Sequence, residues 1–208
     1  MGTQGWCLGL PTLSGNGLCL REPSTTDAKD LADIVNRDSI GRFTEPFPTS
    51  RAGWVRFIQR LLADRSAGLS LCYVVTRERT SEIAGLILVR RLELSFRIAE
   101  CQFLFDKSSW TSGLPTTGLN YALDFAFLDV GIHRLECRSL RSDEVAVLLS
   151  AGFAAEGLLR TPSRLSKGFE GQTVWSVLRA DWLSQLVVWA LAADRHLERG
   201  QPGQLLGG

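Results

Sequence analysis

The chain is poor in histidine, has no paired cysteine motif, lacks long apolar runs and shows no surplus of charge of either sign. Two histidines, His133 and His196, stand in 208 residues. Five cysteines, Cys7, Cys19, Cys72, Cys101 and Cys137, share no CxxC spacing. A bound metal is therefore not expected. Lys and Arg number 23 and Asp and Glu 22, for a net charge of +1. That balance offers no basic surface for nucleic acid and no acidic tail. No apolar run approaches the roughly 20 residues of a membrane span. No Lys or Arg precedes the first apolar residues, so the N-terminus does not read as a secretory signal. Cys72, Cys101 and Cys137 lie inside apolar, strand-like runs. They read as reduced core cysteines, which points to the cytoplasm.

What is present is an ordinary globular composition, 45% hydrophobic, with length for one domain with a good core or one domain plus an appendage. The most structured stretch runs from Ala99 to Leu128. Its strand places Glu100, Gln102 and Leu104 on one face and Cys101, Phe103 and Phe105 on the other. Asp106 to Ser109 break the run. Trp110 to Gly113 then lead into a helix with Leu119, Ala122, Leu123, Ala126 and Phe127 at helical spacing. Gly131 suits the stop. A strand feeding a turn of small residues at a helix start aims backbone N–H groups and the helix dipole at one point, which favours an anion such as a pyrophosphate.

The remaining elements follow in order. Residues 1–17 read as a flexible arm. Leu18 to Glu22 is a strand, and a helix capped by Asp27 or Thr26 runs to Arg37. Ser50 caps a second helix bearing Trp54, Phe57, Ile58 and Leu61. Strands at Leu69–Arg77, Ile83–Leu92 and Ile98–Phe105 form an antiparallel meander. After the central helix come a strand at His133–Ser139, a helix at Val145–Ala151, and strands at Phe153–Leu159 and Val174–Arg179. A polar connection, Thr161 to Gln172, separates the last two. A final helix spans Asp181 to Glu198, and its apolar stripe fits either a sheet face or a second copy of the chain. The tail from Gly200 reads as disordered. This order implies an α+β domain on a mixed, mostly antiparallel sheet of about six to seven strands, over residues 18–182, with residues 183–208 as C-terminal helix and tail.

Several strings in this order resemble the GNAT superfamily of acyl-CoA-dependent N-acetyltransferases, and within it the group that acetylates ribosomal-protein N-termini. They are LCLREPSTTDA at 18–28, EIAGLIL at 82–88, AECQFLFDKSSW at 99–110, ALDFAFLDVGIHRLECRS at 122–139, AGFAAEGLLR at 151–160 and VWSVLRADW at 174–182. The resemblance implies acetyl-CoA as co-substrate and an amine as acceptor. It implies that the strand before the central helix splays from its neighbour and offers free backbone groups of Phe103, Leu104 and Phe105 to the pantetheine arm. It implies a pyrophosphate loop at Trp110, Thr111, Ser112, Gly113, Leu114 and Thr116. It makes Glu100 the candidate general base, with a solvated or ion-paired carboxylate as the alternative reading.

The loop departs from the family pattern. Trp110 stands where the family has Arg or Gln, Thr111 where it has Gly, and Pro115 has no N–H. Arg141 and Glu144 replace the usual Asn and Ser at the next helix. Arg141 suits a phosphate, or is a solvated cation. The base glutamate assigned in the ribosomal-protein group would fall near Ser163, so that assignment does not carry over. His133 and Cys137 read as structural. Phe47 and Trp54 belong to the region that walls the acceptor site in the family, with core packing the alternative. Two functions stay open: an active N-acetyltransferase, or a non-catalytic GNAT-like binding domain with an altered phosphate loop.

Overall fold

Eight strands form one sheet in the order β1-β2-β3-β4-β5-β6-β8-β7. The computed structural model describes residues 5–38, 47–139, 142–162 and 169–186. Strands β1 (Leu13–Gly15), β2 (Leu18–Arg21), β3 (Ser70–Arg77), β4 (Ile83–Arg91) and β5 (Ile98–Phe105) pair antiparallel, each with the next. Strand β6 (Arg134–Ser139) lies parallel to β5, and β7 (Ala154–Pro162) and β8 (Phe169–Leu178) close the far edge antiparallel.

The eighth strand, β1, lies in the segment expected as a loose arm. Asn16 and Gly17 join it to β2 with φ values of 51° and 80°. Two consecutive left-handed residues make the two-residue turn that an Asn-Gly pair favours in hairpins. Upstream, Trp6 is buried against Phe96, ring centroids 5.6 Å apart.

Two cores lie on opposite faces of the sheet. Helices α1 (Ala28–Asp38) and α2 (Arg51–Ser66) cover β3, β4 and part of β5. Ser24, not Thr26 or Asp27, caps the 3-10 turn Thr25–Asp27 that leads into α1: its Oγ accepts from the Thr26 N–H, while Asp27 Oδ2 accepts from the Ser24 N–H at 2.7 Å. Arg21 fixes Asp27 with two bonds of 2.8 Å. Ser50 caps α2 through the Gly53 N–H, as the sequence predicts. Trp54, Ile58 and Leu61 are buried at spacings of four and three, the pattern of one helix face. Trp54 stacks on Phe47 at 5.5 Å, and both are core residues.

The opposite face carries α3 (Leu114–Asp124), a π-helical turn (Phe125–Val130) and α4 (Ser142–Ser150). They pack on Tyr73, Val75, Ile87, Cys101, Phe103, Phe105, Leu135 and Cys137. Gly131, at φ 83°, ends the π turn. A final helix follows β8, described over 179–186. Its Trp182 is fully buried and donates from Nε1 to Asp124 Oδ1 at 2.9 Å. The C-terminal part of that helix and the tail lie outside the described residues. Among the described residues no helix is long and apolar enough to cross a membrane.

Candidate active site

The site is organised by a strand that has two different edges. On one edge β5 pairs with β4 through seven residues, from Ala99↔Arg91 to Phe105↔Gly85. On the other it pairs with β6 through four, from Ile98↔Arg134 to Cys101↔Cys137. Beyond Cys101 the two parallel strands separate, leaving a fork that opens toward their C-terminal ends.

Backbone alternation decides which groups face the fork. The Asp106 N–H donates to Ala84 O and the Leu92 N–H to Ile98 O, so even-numbered residues of β5 bond to β4. Leu104 therefore spends its backbone groups on β4. Phe103 and Phe105 turn theirs to the open edge. Of the three residues expected to offer free backbone groups, the structure aims two into the fork. The side chains alternate as the sequence predicts. Phe103 and Phe105 pack under α3, and Leu104 packs under α1 and α2.

Gly85 allows β4 and β5 to close on the paired side. A Cβ there would meet Leu104 O at 2.3 Å and Phe105 Cδ1 at 2.5 Å.

The loop after β5 is braced rather than open. Asp106 Oδ1 accepts from the Ser109 N–H at 2.9 Å and from Ser108 Oγ at 2.6 Å. Arg77 Nη2 reaches Asp106 Oδ2, Ser108 Oγ and Ser109 Oγ at 3.2, 3.1 and 2.9 Å. The sequence reading singled out neither Arg77 nor a capping role for Asp106. The signal was the Asp-x-x-Ser spacing, which is that of a helix cap.

Trp110 is half-buried, its ring against Phe103 at 6.2 Å and Phe105 at 6.1 Å. Its side chain thus covers the α3 side of β5, a packing role where the family pattern has a polar residue. Thr111 Oγ1 donates to Ser108 O at 3.4 Å. Ser112 gives its N–H and its hydroxyl to Ser109 O, so neither is turned outward. Gly113 caps α3 in the left-handed region, φ 74°, a conformation that glycine adopts without strain. Its carbonyl accepts the Thr117 N–H at 3.1 Å. Leu114 and Thr116 therefore lie in the first turn, where N–H groups have no helical partner. Pro115 is buried in the same turn, where its missing N–H costs nothing.

On the other arm, Ser139 Oγ donates to Glu144 Oε2 at 2.8 Å, so Glu144 is tied to the end of β6. Arg141 lies outside the described residues, as does Ser163.

The face of the fork turned away from α3 carries charge. Glu100 is 9% exposed, and its Oε1 lies 3.4 Å from Arg138 Nε without a hydrogen-bond partner. Its register partner on β6 is Glu136. That second carboxylate has a cation on its own strand: Arg134 Nε donates to Glu136 Oε1 at 2.9 Å. Both Nη atoms of Arg134 bind Glu156, and Ser176 Oγ donates to Glu156 at 2.6 Å. The Arg134 hydrogen bonds, with that of Ser176, hold Glu156 down at about 2. Those from Glu156, ahead of the Glu136 contact, push the Arg134 guanidinium up.

His133 stands at the opposite, N-terminal end of β6, its Nδ1 3.3 Å from Arg97 Nη2, and does not join the site. Cys101 and Cys137 are buried free thiols whose pKa is raised, chiefly by burial, which suits packing and not nucleophilic attack. Among the described residues no group of side chains has the make-up of a metal site.

The architecture matches solved structures. A ribosomal-protein-S5-alanine acetyltransferase from Vibrio fischeri superposes with a TM-score of 0.73 at 18% identity, over 83% of this chain and 99% of that one. Mycobacterium smegmatis RimJ in complex with CoA-disulfide gives 0.68 at 22%, over 77% and 81%. The Microcin C7 self-immunity acetyltransferase MccE, solved with acetyl-CoA and AMP, gives 0.67 at 20%, over 79% and 93%. No curated protein matches the sequence. The family model described as Acetyltransferase (GNAT) domain matches residues 17–153, and the chain belongs to that family.

Proposed function

We propose that the protein is an acetyl-CoA-dependent N-acetyltransferase that acetylates a primary amine, on a protein or peptide N-terminus or on a small molecule, by direct attack in a ternary complex. The observation that carries this reading is the fork: a parallel pair that ends at Cys101↔Cys137 and leaves the Phe103 and Phe105 backbone groups facing an open edge. Buried strand edges are costly unless something pairs with them. An extended amide-bearing chain such as pantetheine supplies the missing partners. The residues that would hold the coenzyme are Phe103 and Phe105 through their backbone. The first-turn N–H groups of Leu114 and Thr116, with the positive end of α3, would meet the pyrophosphate. Backbone donors of this kind need no fixed side-chain pattern. Trp110, Thr111 and Gly113 therefore shape the loop without contributing charge.

Acetyl-CoA brings an acetyl thioester and a thiol leaving group. The chain's own contribution is to orient the amine and take its proton. Glu100 is the general base in this reading: its Oε1, buried beside the fork, accepts no hydrogen bond. One proton passes from the amine to Glu100, and the departing thiolate takes up another. The five free thiols agree with a reducing compartment and hence with a cytoplasmic setting.

Calorimetric titration with acetyl-CoA, followed by an amine screen, tests the reading. Micromolar binding, about −8 kcal/mol, and turnover with a primary amine are expected. No binding at millimolar coenzyme would overturn it and favour a non-catalytic domain.

A further inference from the structure

Glu100 and Glu136 sit side by side on adjacent strands, yet their surroundings differ. Glu136 lies in a closed cluster: Arg134 binds it, Glu156 binds Arg134 through both Nη atoms, and Ser176 binds Glu156. Arg138 Nε lies 3.4 Å from Glu100 Oε1, the same buried oxygen that accepts no hydrogen bond. Arg138 is the first residue of β6 beyond the last pair, Cys101↔Cys137. The ion pair therefore spans the fork at its apex. The charged groups around Glu100 are Arg90, its register partner on β4, and Glu136 and Arg138 on β6.

We propose that Arg138 is the positioning residue for Glu100: it reaches across the apex of the fork and holds the buried carboxylate there through Oε1, which accepts no hydrogen bond. The inference rests on the reading of Glu100 as base. Three observations support it. The Arg138–Glu100 contact is within Coulomb range, and the hydrogen bond is not made, so the oxygen keeps its lone pairs. The neighbouring Glu136 has its own cation in Arg134, at 2.9 Å. Arg138 lies on the arm that leaves β5, so its reach depends on the fork being open to its present extent.

The test is a double-mutant cycle on the full chain, read by steady-state kinetics with a primary amine and by acetyl-CoA titration. Arg138→Met should lower kcat about 10-fold, leave acetyl-CoA affinity unchanged, and be restored at least in half by Arg138→Lys or by added guanidinium. In the Glu100→Gln background the same change should cost nothing further, because the group it positions is gone. Full additivity of the two losses, or a loss carried entirely by acetyl-CoA affinity, would overturn the inference while leaving Glu100 as base. An active Glu100→Gln enzyme would instead overturn the base assignment itself. Should Arg138→Met not fold, Arg138→Lys and Arg138→Gln carry the same comparison.

Discussion

Strand β5 has a paired edge and an open one, and the two edges do different work. Toward β4 the ladder is unbroken, Gly85 lets the strands close, and Phe105 and Leu104 fill cores on both faces. Toward β6 four pairs suffice to fix the direction of the strand, after which the ladder stops. The paired edge makes the open one possible. A strand whose backbone was free on both sides at Phe103–Phe105 would have no reason to stay extended, because a buried N–H or C=O left unpaired costs about 1–3 kcal/mol. The difference teaches that the open edge of the candidate site depends on structure laid down on the opposite side of β5.

Changes on the open side should strike activity, and changes on the paired side stability. The largest effect expected is on turnover. Glu100→Gln should lower kcat by roughly two to three orders of magnitude, the usual range for a general base, with acetyl-CoA affinity and urea midpoint unchanged. A parallel loss of stability would erase the distinction between the edges. Next, Gly85→Ala places a Cβ against the Leu104 carbonyl and the Phe105 ring. It should destabilise by about 2–3 kcal/mol, at the upper end of overpacking, read from urea denaturation. It should also weaken acetyl-CoA binding, because the ring it displaces belongs to the residue that lines the fork. An unchanged midpoint would mean that β4 and β5 have room to separate.

A third effect is confined to acid. The Arg134 hydrogen bonds, and then that of Ser176, depress Glu156 from its ordinary 4.5 to about 2. The stability this contributes is present above about pH 4.5 and is lost as pH falls toward 2. Glu156→Gln should flatten that part of the stability curve and leave neutral pH little changed. An unaltered acid limb would show that the Arg134 cluster does not brace β6. The smallest effect should be favourable. A Cβ on Gly118 would meet Phe105, Ile87 and Val75 at ordinary distances of 3.5–3.7 Å. Gly118→Ala should therefore stabilise by about 0.5–1 kcal/mol through helix propensity. A loss instead would show that α3 has no slack over the paired edge.

Much of the fold was legible because it follows local rules. The alternation in β5, the Ser50 cap, the apolar stripes of α2 and α3 and the stop at Gly131 all answer to a period or to a single residue type. The Asn16-Gly17 turn was equally local and was passed over, because the Gly, Thr and Ser around it read as a loose arm. Other features depend on distant partners. The π turn at Phe125–Val130 does not follow from the apolar stripe, which continues through it at helical spacing. The division of labour between Leu104 and its two phenylalanine neighbours required the register with β4. The contrast between Glu100 and Glu136 required knowing that Arg134 meets Glu156 from a strand 22 residues away in sequence. The loop between β5 and α3 was the least legible part. Its side chains depart from the family pattern, and its brace by Arg77 comes from another strand.

On the proposed function, the backbone of Phe103 and Phe105 is unpaired on the β6 side and becomes paired when coenzyme enters. Residue-resolved amide hydrogen exchange with and without acetyl-CoA tests it most directly. The Leu104 amide should be protected in both states, and the Phe103 and Phe105 amides should gain protection when acetyl-CoA is added. Equal protection of all three amides in the free protein, unchanged by acetyl-CoA, would contradict it.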